Sequence, residues 1–247
     1  MLSVVVVNWS ARADLDRCLA SLASQTHADL DVVVVDNGST DGSVAWVRAH
    51  FPRVTLVAEK ENLGFAEGCN RGIAQARGDW VCLLNNDAVA EPDWARALAH
   101  AASEAPAACG MLQSLMIYAD RPGIVNSTGI ELMRDGGGVD RGDGDHRSRW
   151  TTSDEIFCPT AGAAAYRRSM LDGVRLPCGW LDPAHFLYFE DLDLGWRARL
   201  CGWTARYVPG AVVHHRWHGS SERHGRARLA ELATVNRLRT LLKNASA

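Results

Sequence analysis

The sequence has no Cys-x-x-Cys pair, no run of about 18 apolar residues and only two lysines, Lys60 and Lys243. Its seven cysteines, Cys18, Cys69, Cys82, Cys109, Cys158, Cys178 and Cys201, are odd in number. That fits neither a disulfide framework nor a thiolate zinc site, and it predicts reduced thiols in a cytoplasmic protein. Without a long apolar run, nothing is expected to span a membrane. Residues 1–8 lack a basic segment and a small-residue cleavage site, so they read as a strand and not as a signal peptide. An excess of positive charge is also missing. Lys and Arg total 26 against 29 Asp and Glu, a net charge of −3, which argues against a nucleic-acid partner. Neither Gly-x-Gly-x-x-Gly nor Gly-x-x-x-x-Gly-Lys follows a predicted strand, and His-Glu-x-x-His does not occur. A dinucleotide site, a P-loop and a zincin helix are therefore disfavoured.

What is present is the composition of a globular domain: 247 residues, 47% hydrophobic and 22% charged. A chain of this length makes one large α/β domain or two small ones, with a sizeable core. β-branched runs at residues 2–7, 30–35, 54–58 and 80–84 predict four strands. Helical spacing at residues 13–24, around Val44, Val47 and Arg48, and at 65–76 fills the intervals, and Glu91-Pro92 opens a further helix. This order predicts a Rossmann-like, mostly parallel sheet with helices on both faces.

Beyond residue 108 the pattern changes. Residues 109–117, 124–133 and 204–213 read as extended, 189–200 as helical, and 157–166 as small and apolar. Residues 134–150 are Gly-rich and charged without periodicity, which predicts a mobile loop. Residues 226–243 place Leu229, Leu232, Val235, Leu238 and Leu242 on one helical face. No repeat or linker splits the chain. One domain is expected, with a first half at 1–110, a mixed half at 111–221 and a C-terminal helix within 222–247.

In an open parallel sheet, ligands bind beyond the carboxyl ends of the strands. Three polar clusters fall there: Asn8, Asp36-Asn37 and Asn85-Asn86-Asp87. Asp36 suits a ribose or base N–H, or is a turn residue ahead of a cap at Ser39 or Asp41. Asp87 suits a hard cation such as Mg²⁺, which takes oxygen ligands and keeps substrate phosphates in its shell, or it caps the helix near Pro92. Glu190, Asp191 and Asp193 form the densest acidic cluster beside apolar residues. They either meet the positive end of a helix or include a general base whose pKa is raised by burial beside Phe186, Tyr188 and Phe189. His214, His215 and His218 follow a strand, where a histidine is either structural or a metal ligand.

Taken in order, Val5-Val-Val-Asn-Trp9, Val34-Val-Asp-Asn-Gly-Ser-Thr-Asp-Gly-Ser43, Glu61-Asn-Leu-Gly-Phe-Ala66, Gly68-Cys-Asn-Arg-Gly72, Leu83-Leu-Asn-Asn-Asp87, Tyr188-Phe-Glu-Asp-Leu-Asp-Leu-Gly-Trp-Arg197 and Val208-Pro-Gly-Ala-Val-Val-His-His215 resemble the glycosyltransferase family 2 enzymes, most nearly their rhamnosyltransferase-like branch. The match runs from Val4 to about Ser221. The resemblance implies the GT-A fold and transfer, with inversion, of a sugar from a nucleoside diphosphate sugar (dTDP-rhamnose or a UDP-sugar) to a hydroxyl of a glycan or polyprenol-linked acceptor. It implies that Asn8 and Asp36 lie against the nucleoside and that Asn62, Gly64 and Asn70 shape the same pocket. Asn85 and Asn86 belong to the donor site, and Asp87, in the place of the family's DxD-type motif, binds Mg²⁺ or Mn²⁺ at the diphosphate. Asp191, preceded by Glu190, matches the family's catalytic base. His215 matches the histidine that completes the metal shell, with His214 the adjacent candidate.

Two features depart from the family: one carboxylate in Asn85-Asn86-Asp87, and a chain ending at Ala247 where many relatives continue. The last helix is basic on its polar faces. It lies on an anionic membrane surface at the inner face of a membrane, packs on a partner, or docks on the core with solvated arginines. Two rival functions stand beside the transferase. One is a non-catalytic sugar-nucleotide-binding subunit, against which the intact Glu190-Asp191 pair argues. The other is a zinc hydrolase using His214 and His218, against which Pro209 argues because it suits a strand better than a helix.

Overall fold

The computed structural model describes residues 1–216 and 225–245. The first half has the predicted alternation: β1 (Leu2–Asn8), α1 (Arg12–Ala23), β2 (Leu30–Asn37), α2 (Ser43–His50), β3 (Thr55–Glu59), α3 (Phe65–Gln75) and β4 (Trp80–Leu84). β1 pairs in parallel with β2 and β4, and β2 with β3. Alternate residues of β1 enter different layers. Val4 and Val6 share a cluster with Leu15 and Leu19 of α1, and Val5 with Ile73 of α3. Both faces are covered, which is why the strand reads as an unbroken apolar run. A Cβ on Gly72 would meet Val5 Cγ1 at 2.1 Å, so this glycine sets the distance between α3 and the sheet.

The fourth helix begins later than Glu91-Pro92 suggests. Residues 85–87 turn the chain into a short strand, β5 (Ala88–Ala90), and Asp93, not Asp87, precedes α4 (Trp94–Ser103).

The second half extends the same sheet with β6 (Cys109–Tyr118), β7 (Val125–Ser127), β8 (Ile130–Leu132), β9 (Gly138–Asp140), β10 (Glu155–Ile156), β11 (Ala163–Arg167), α5 (Arg168–Gly173), α6 (Glu190–Leu200), β12 (Thr204–His215) and α7 (Arg226–Asn244). The strand order is β10-β12-β6-β11-β4-β1-β2-β3, with β5 on β12 and β7 on β6. β11 runs antiparallel to both β4 and β6, while β12 is parallel to β6. The result is one α/β domain on a mixed sheet. The small, apolar stretch noted in the sequence contains its central strand, in which Ala163, Ala164 and Ala165 are fully buried.

Two expectations are overturned. Residues 134–150 are not a loop throughout: β9 closes an antiparallel hairpin on β8, and Arg147–Arg149 form a 3₁₀ turn. α7 docks by its polar face. Asn236, Thr240 and Asn244, spaced i, i+4, i+8, are at most 2% exposed, while Val235, Leu238 and Leu242 are exposed. Of the expected apolar face Leu232 is buried, on the same stripe as these polar residues; beyond it the helix lies on a loop whose carbonyls polar side chains satisfy.

Candidate active site

The carboxyl ends of β4 and β12 converge on one cavity of about 450 Å³, whose other walls are residues 187–192, β9 and part of α7. Strand pairing fixes the first side. His215 is opposite Ala88 across β12 and β5, and the Arg216 N–H donates to the Asp87 carbonyl at 3.0 Å. Asp87 and His215 are therefore neighbours, with His215 Nε2 3.1 Å from Asp87 Oδ1 and both side chains buried.

The ring's other contacts define its chemistry. His215 Nδ1 lies 2.7 Å from Asn126 Oδ1, an acceptor, and Asn85 Nδ2 lies 3.2 Å from Nε2. With Nδ1–H donated to Asn126, Nε2 is the ring atom turned toward the carboxylate. Two lone-pair donors facing each other suit a shared proton or a shared cation. Ligand atoms on adjacent corners of an octahedral ion bound at about 2.1 Å are about 3 Å apart, so the donor set fits a divalent cation. No group of three or more His, Cys, Asp or Glu among the described residues forms a closed metal cage; the remaining ligands would come from substrate oxygens and water. His214 points elsewhere, its Nε2 3.1 Å from Glu91 Oε1. His218 lies outside the described residues.

α6 supplies the second side. Phe189, in the left-handed conformation, starts the helix, and the three carboxylates of its first turn face three settings. Asp191 reaches the cavity and accepts hydrogen bonds from Ala161 N at 3.1 Å and Leu192 N at 2.8 Å. Burial raises its pKa above the ordinary carboxylate range, and the hydrogen bonds from Ala161, Leu192 and Thr160 oppose that rise. Glu190 is 4% exposed, and its Oε2 has no hydrogen-bonding partner. Burial and the adjacent Asp191 charge push its carboxyl well above the ordinary range. Asp193 faces the interior; against the upward push of burial, Arg197 and Lys243 hold it below the ordinary range.

The expected nucleoside residues form a separate scaffold. Asn8 and Asp36 are opposite one another in the β1–β2 register. Asn8 Nδ2 donates to Asp36 Oδ2 at 3.1 Å, and Asn86 Nδ2 donates to Asn8 Oδ1 at 2.8 Å. This chain joins the ends of three strands, and Asn85, Asn86 and Asp87 line the cavity at its end. Asp36 also accepts from the Ser39 N–H, as a turn residue does. Asn62 accepts from Asn37 Nδ2 and the Gly64 N–H, and so shapes the turn into α3. Gly64 has φ 86, and a Cβ there would meet Phe186 Cδ2 at 2.5 Å. Asn70 is directed to the backbone of Trp180 and Leu181, with three bonds of 2.8 to 3.0 Å. Asn8, Asp36, Asn62, Gly64 and Asn70 do not line the cavity that holds Asp191 and His215.

Three cavity residues gave no sequence signal. Asn126 sits in an unremarkable extended run, Thr160 in a small-residue stretch, and Asp140 in the charged segment read as loop. Asp140 is exposed as a residue, yet desolvation of its carboxyl among the crowded groups of the cavity wall raises it to about 6, with the Asp191 and Asp143 charges adding to the rise and a Ser127 hydrogen bond and His215 opposing it.

The sequence profile of Glycosyl transferase family 2 matches residues 3–175. The chain belongs to glycosyl transferase family 2. It is 34% identical over 253 residues to an N-acetylglucosaminyl-diphospho-decaprenol L-rhamnosyltransferase of Mycobacterium tuberculosis, covering 89% of this chain and 78% of that protein. Both findings make this family 2 chain a glycosyltransferase. Its fold is shared with a mannosyltransferase from Pyrobaculum calidifontis in complex with GDP-Man and Mn²⁺, at TM-score 0.67 and 20% identity over 98% of this chain and 64% of that one. GalNAc-T7 with UDP, GalNAc and Mn²⁺ superposes at TM-score 0.74 and 16% identity, over 98% of this chain and 47% of that one. These likenesses give the GT-A fold.

Proposed function

We propose that this family 2 glycosyltransferase is an inverting, metal-dependent enzyme that moves a sugar from a nucleoside diphosphate sugar to a hydroxyl of a polyprenol-linked or glycan acceptor. The observation that carries the reading is one cavity holding a buried carboxyl group, Asp191, and a carboxylate–imidazole pair, Asp87 and His215. In this reading Asp191 accepts the acceptor hydroxyl's proton as the oxygen attacks the anomeric carbon. The C–O bond to the diphosphate breaks on the opposite face, so one carboxylate suffices and the configuration inverts. Asp87 and His215 would hold Mg²⁺ or Mn²⁺, which when bound supplies Lewis-acid charge to the departing diphosphate. Asn126 keeps the imidazole in the tautomer whose Nε2 carries the lone pair, which a cation would take over from the Asn85 amide. Asn8, Asp36 and Asn86 set the spacing of the strand ends on which the nucleoside would rest.

The M. tuberculosis relative, named for a decaprenol-linked substrate and L-rhamnosyl transfer, makes dTDP-rhamnose and a diphospho-polyprenol acceptor the first pair to assay. No described helix is long and apolar enough to cross a membrane. Among the described residues, five of the seven exposed large hydrophobics, Met133, Val139, Val235, Leu238 and Leu242, lie on the β8–β9 hairpin region and α7, two elements that wall the cavity. That concentration favours peripheral contact with the inner face of a membrane, where such an acceptor resides. Release of nucleoside diphosphate and product in the presence of Mn²⁺ tests the whole reading. No transfer to either acceptor class from any nucleoside diphosphate sugar would defeat it in favour of a binding subunit.

A further inference from the structure

The cavity wall at residues 186–189 is strained, and α7 holds it. Phe186 has φ 59 and ψ −60, and the Leu187 N–H donates to the His185 carbonyl at 2.6 Å. This is a γ-turn of the rare, strained hand. Tyr188 and Phe189 follow, each at φ 72. Bulky residues stay at positive φ only where their surroundings over-determine them.

Two anchors do so here. On one side the Phe186 carbonyl accepts from the Phe65 and Ala66 N–H groups at 2.6 and 3.2 Å, at the start of α3. On the other side is Asn236, fully buried. Its Nδ2 lies 2.6 Å from the His185 carbonyl, 3.0 Å from that of Leu187 and 3.0 Å from that of Tyr188. Arg239 Nη1 donates to Asn236 Oδ1 at 2.6 Å and to the Ala184 carbonyl at 2.6 Å, which fixes the amide's orientation. Positive φ turns these carbonyls away from any helix or strand partner, and a side-chain amide takes that place. The next residues are Glu190 and Asp191.

We propose that Asn236 is a positioning residue for sugar transfer: its amide fixes the strained turn at 186–189 and thereby the aim of the Asp191 carboxylate into the cavity. The proposal rests on the reading of Asp191 as the base. α7 shows the same bias elsewhere, since Thr240 bonds the buried His185 ring at 2.9 Å and Asn244 bonds Asp193 at 3.0 Å.

The test uses the full chain with dTDP-rhamnose, a diphospho-polyprenol acceptor and Mn²⁺, comparing Asn236→Ala, Asn236→Asp and Arg239→Ala. Misaiming a reacting group by about 1 Å costs up to ~100-fold, so Asn236→Ala should lose roughly 10- to 100-fold in kcat. Donor KM should stay within about threefold, the pattern of an interaction felt only in the transition state. Amides of residues 186–191 should exchange with deuterium roughly tenfold faster, as local opening becomes easier. Asn236→Asp should be worse than Asn236→Ala at neutral pH and narrow its deficit relative to the parent as pH falls, where its carboxyl regains a proton to donate; loss of packing alone gives no such pH dependence. Arg239→Ala, a half-exposed change, should keep the fold and lose less, and it carries the test if the Asn236 variants do not fold. Parental kcat in both Asn236→Ala and Arg239→Ala, or kcat, donor affinity and melting temperature all falling together, overturns the proposal. Asp191→Asn separates the two claims. Full turnover in that variant removes the base reading and leaves amide exchange to judge the clamp, whereas an inactive Asp191→Asn beside active Asn236 variants removes the clamp alone.

Discussion

His215 Nε2 lies 3.1 Å from Asp87 Oδ1 while its Nδ1 is bonded to Asn126 Oδ1 at 2.7 Å. A ring held in one tautomer by its far nitrogen is oriented as metal-ligating histidines commonly are. Asp87→Ala is expected to abolish the Mn²⁺-dependent part of nucleoside diphosphate binding, read by calorimetry with and without EDTA. Asn126→Ala leaves the ligands in place and should weaken the metal by roughly 10- to 100-fold. Unchanged nucleotide affinity in excess chelator would count against the cation altogether.

Asp191→Asn keeps size and removes the proton-accepting oxygen. Transfer is expected to fall by about 10²–10⁴, with donor binding preserved because Asp87 and His215 are untouched. Since burial raises the Asp191 pKa, the acid limb of the pH–rate profile should lie above the ordinary carboxylate range. With Asp191 as the base, Glu190→Gln should leave a distinct acid limb in place. A collapse in Glu190→Gln with a normal rate in Asp191→Asn would move the base one residue upstream.

Asp140 gives a stability prediction with a definite sign. Its carboxyl is raised from 3.8 to about 6, so the folded chain binds this proton more tightly than the unfolded one. A raised carboxyl costs stability as pH rises from the unfolded toward the folded value, and the cost persists above it. The melting temperature of Asp140→Asn should therefore exceed the parent's at pH 7 and approach it near pH 4. Parallel melting curves at the two pH values would show that the charge does not matter.

Gly72→Ala should be strongly destabilising, because its Cβ would sit 2.1 Å from Val5 Cγ1 in the core. Overpacking of this kind costs typically ~1–3 kcal/mol, to be read from the urea midpoint. Asn70→Ala strands the backbone groups of Trp180 and Leu181 and should cost about 1–3 kcal/mol. A loss of donor affinity larger than this loss of stability would return Asn70 to the nucleoside pocket.

β1, β2 and β4 were legible because they are buried on both faces, as with Val4, Val5 and Val6, so a local run of β-branched residues carries the signal. Asp87, Asp191 and His215 were legible as a set through resemblance, and the structure brings them to one cavity. What escaped was held by distant backbone groups. Nothing local distinguishes Asn236, whose partners lie 48 to 51 residues away, or Asn126, which meets His215 from 89 residues away. The docked face of α7 was misread for the same reason, since periodicity counts apolar side chains and not carbonyls awaiting donors. β8 falls within the stretch read as extended, but β9 escaped because a three-residue strand leaves no pattern to count.

The position of β11 has a consequence for how the chain is made. It lies between β4 and β6, antiparallel to both, yet it is synthesised about a third of the chain later than β4. Until residue 167 leaves the ribosome, the edge of β4 presents unpaired backbone groups beside an apolar strand, an invitation to pair with another chain. A fragment ending at residue 110 should accordingly aggregate and not persist as a free module. Shuffling of other second halves onto this first half should fail unless the exchanged piece brings its own strand to fill that gap.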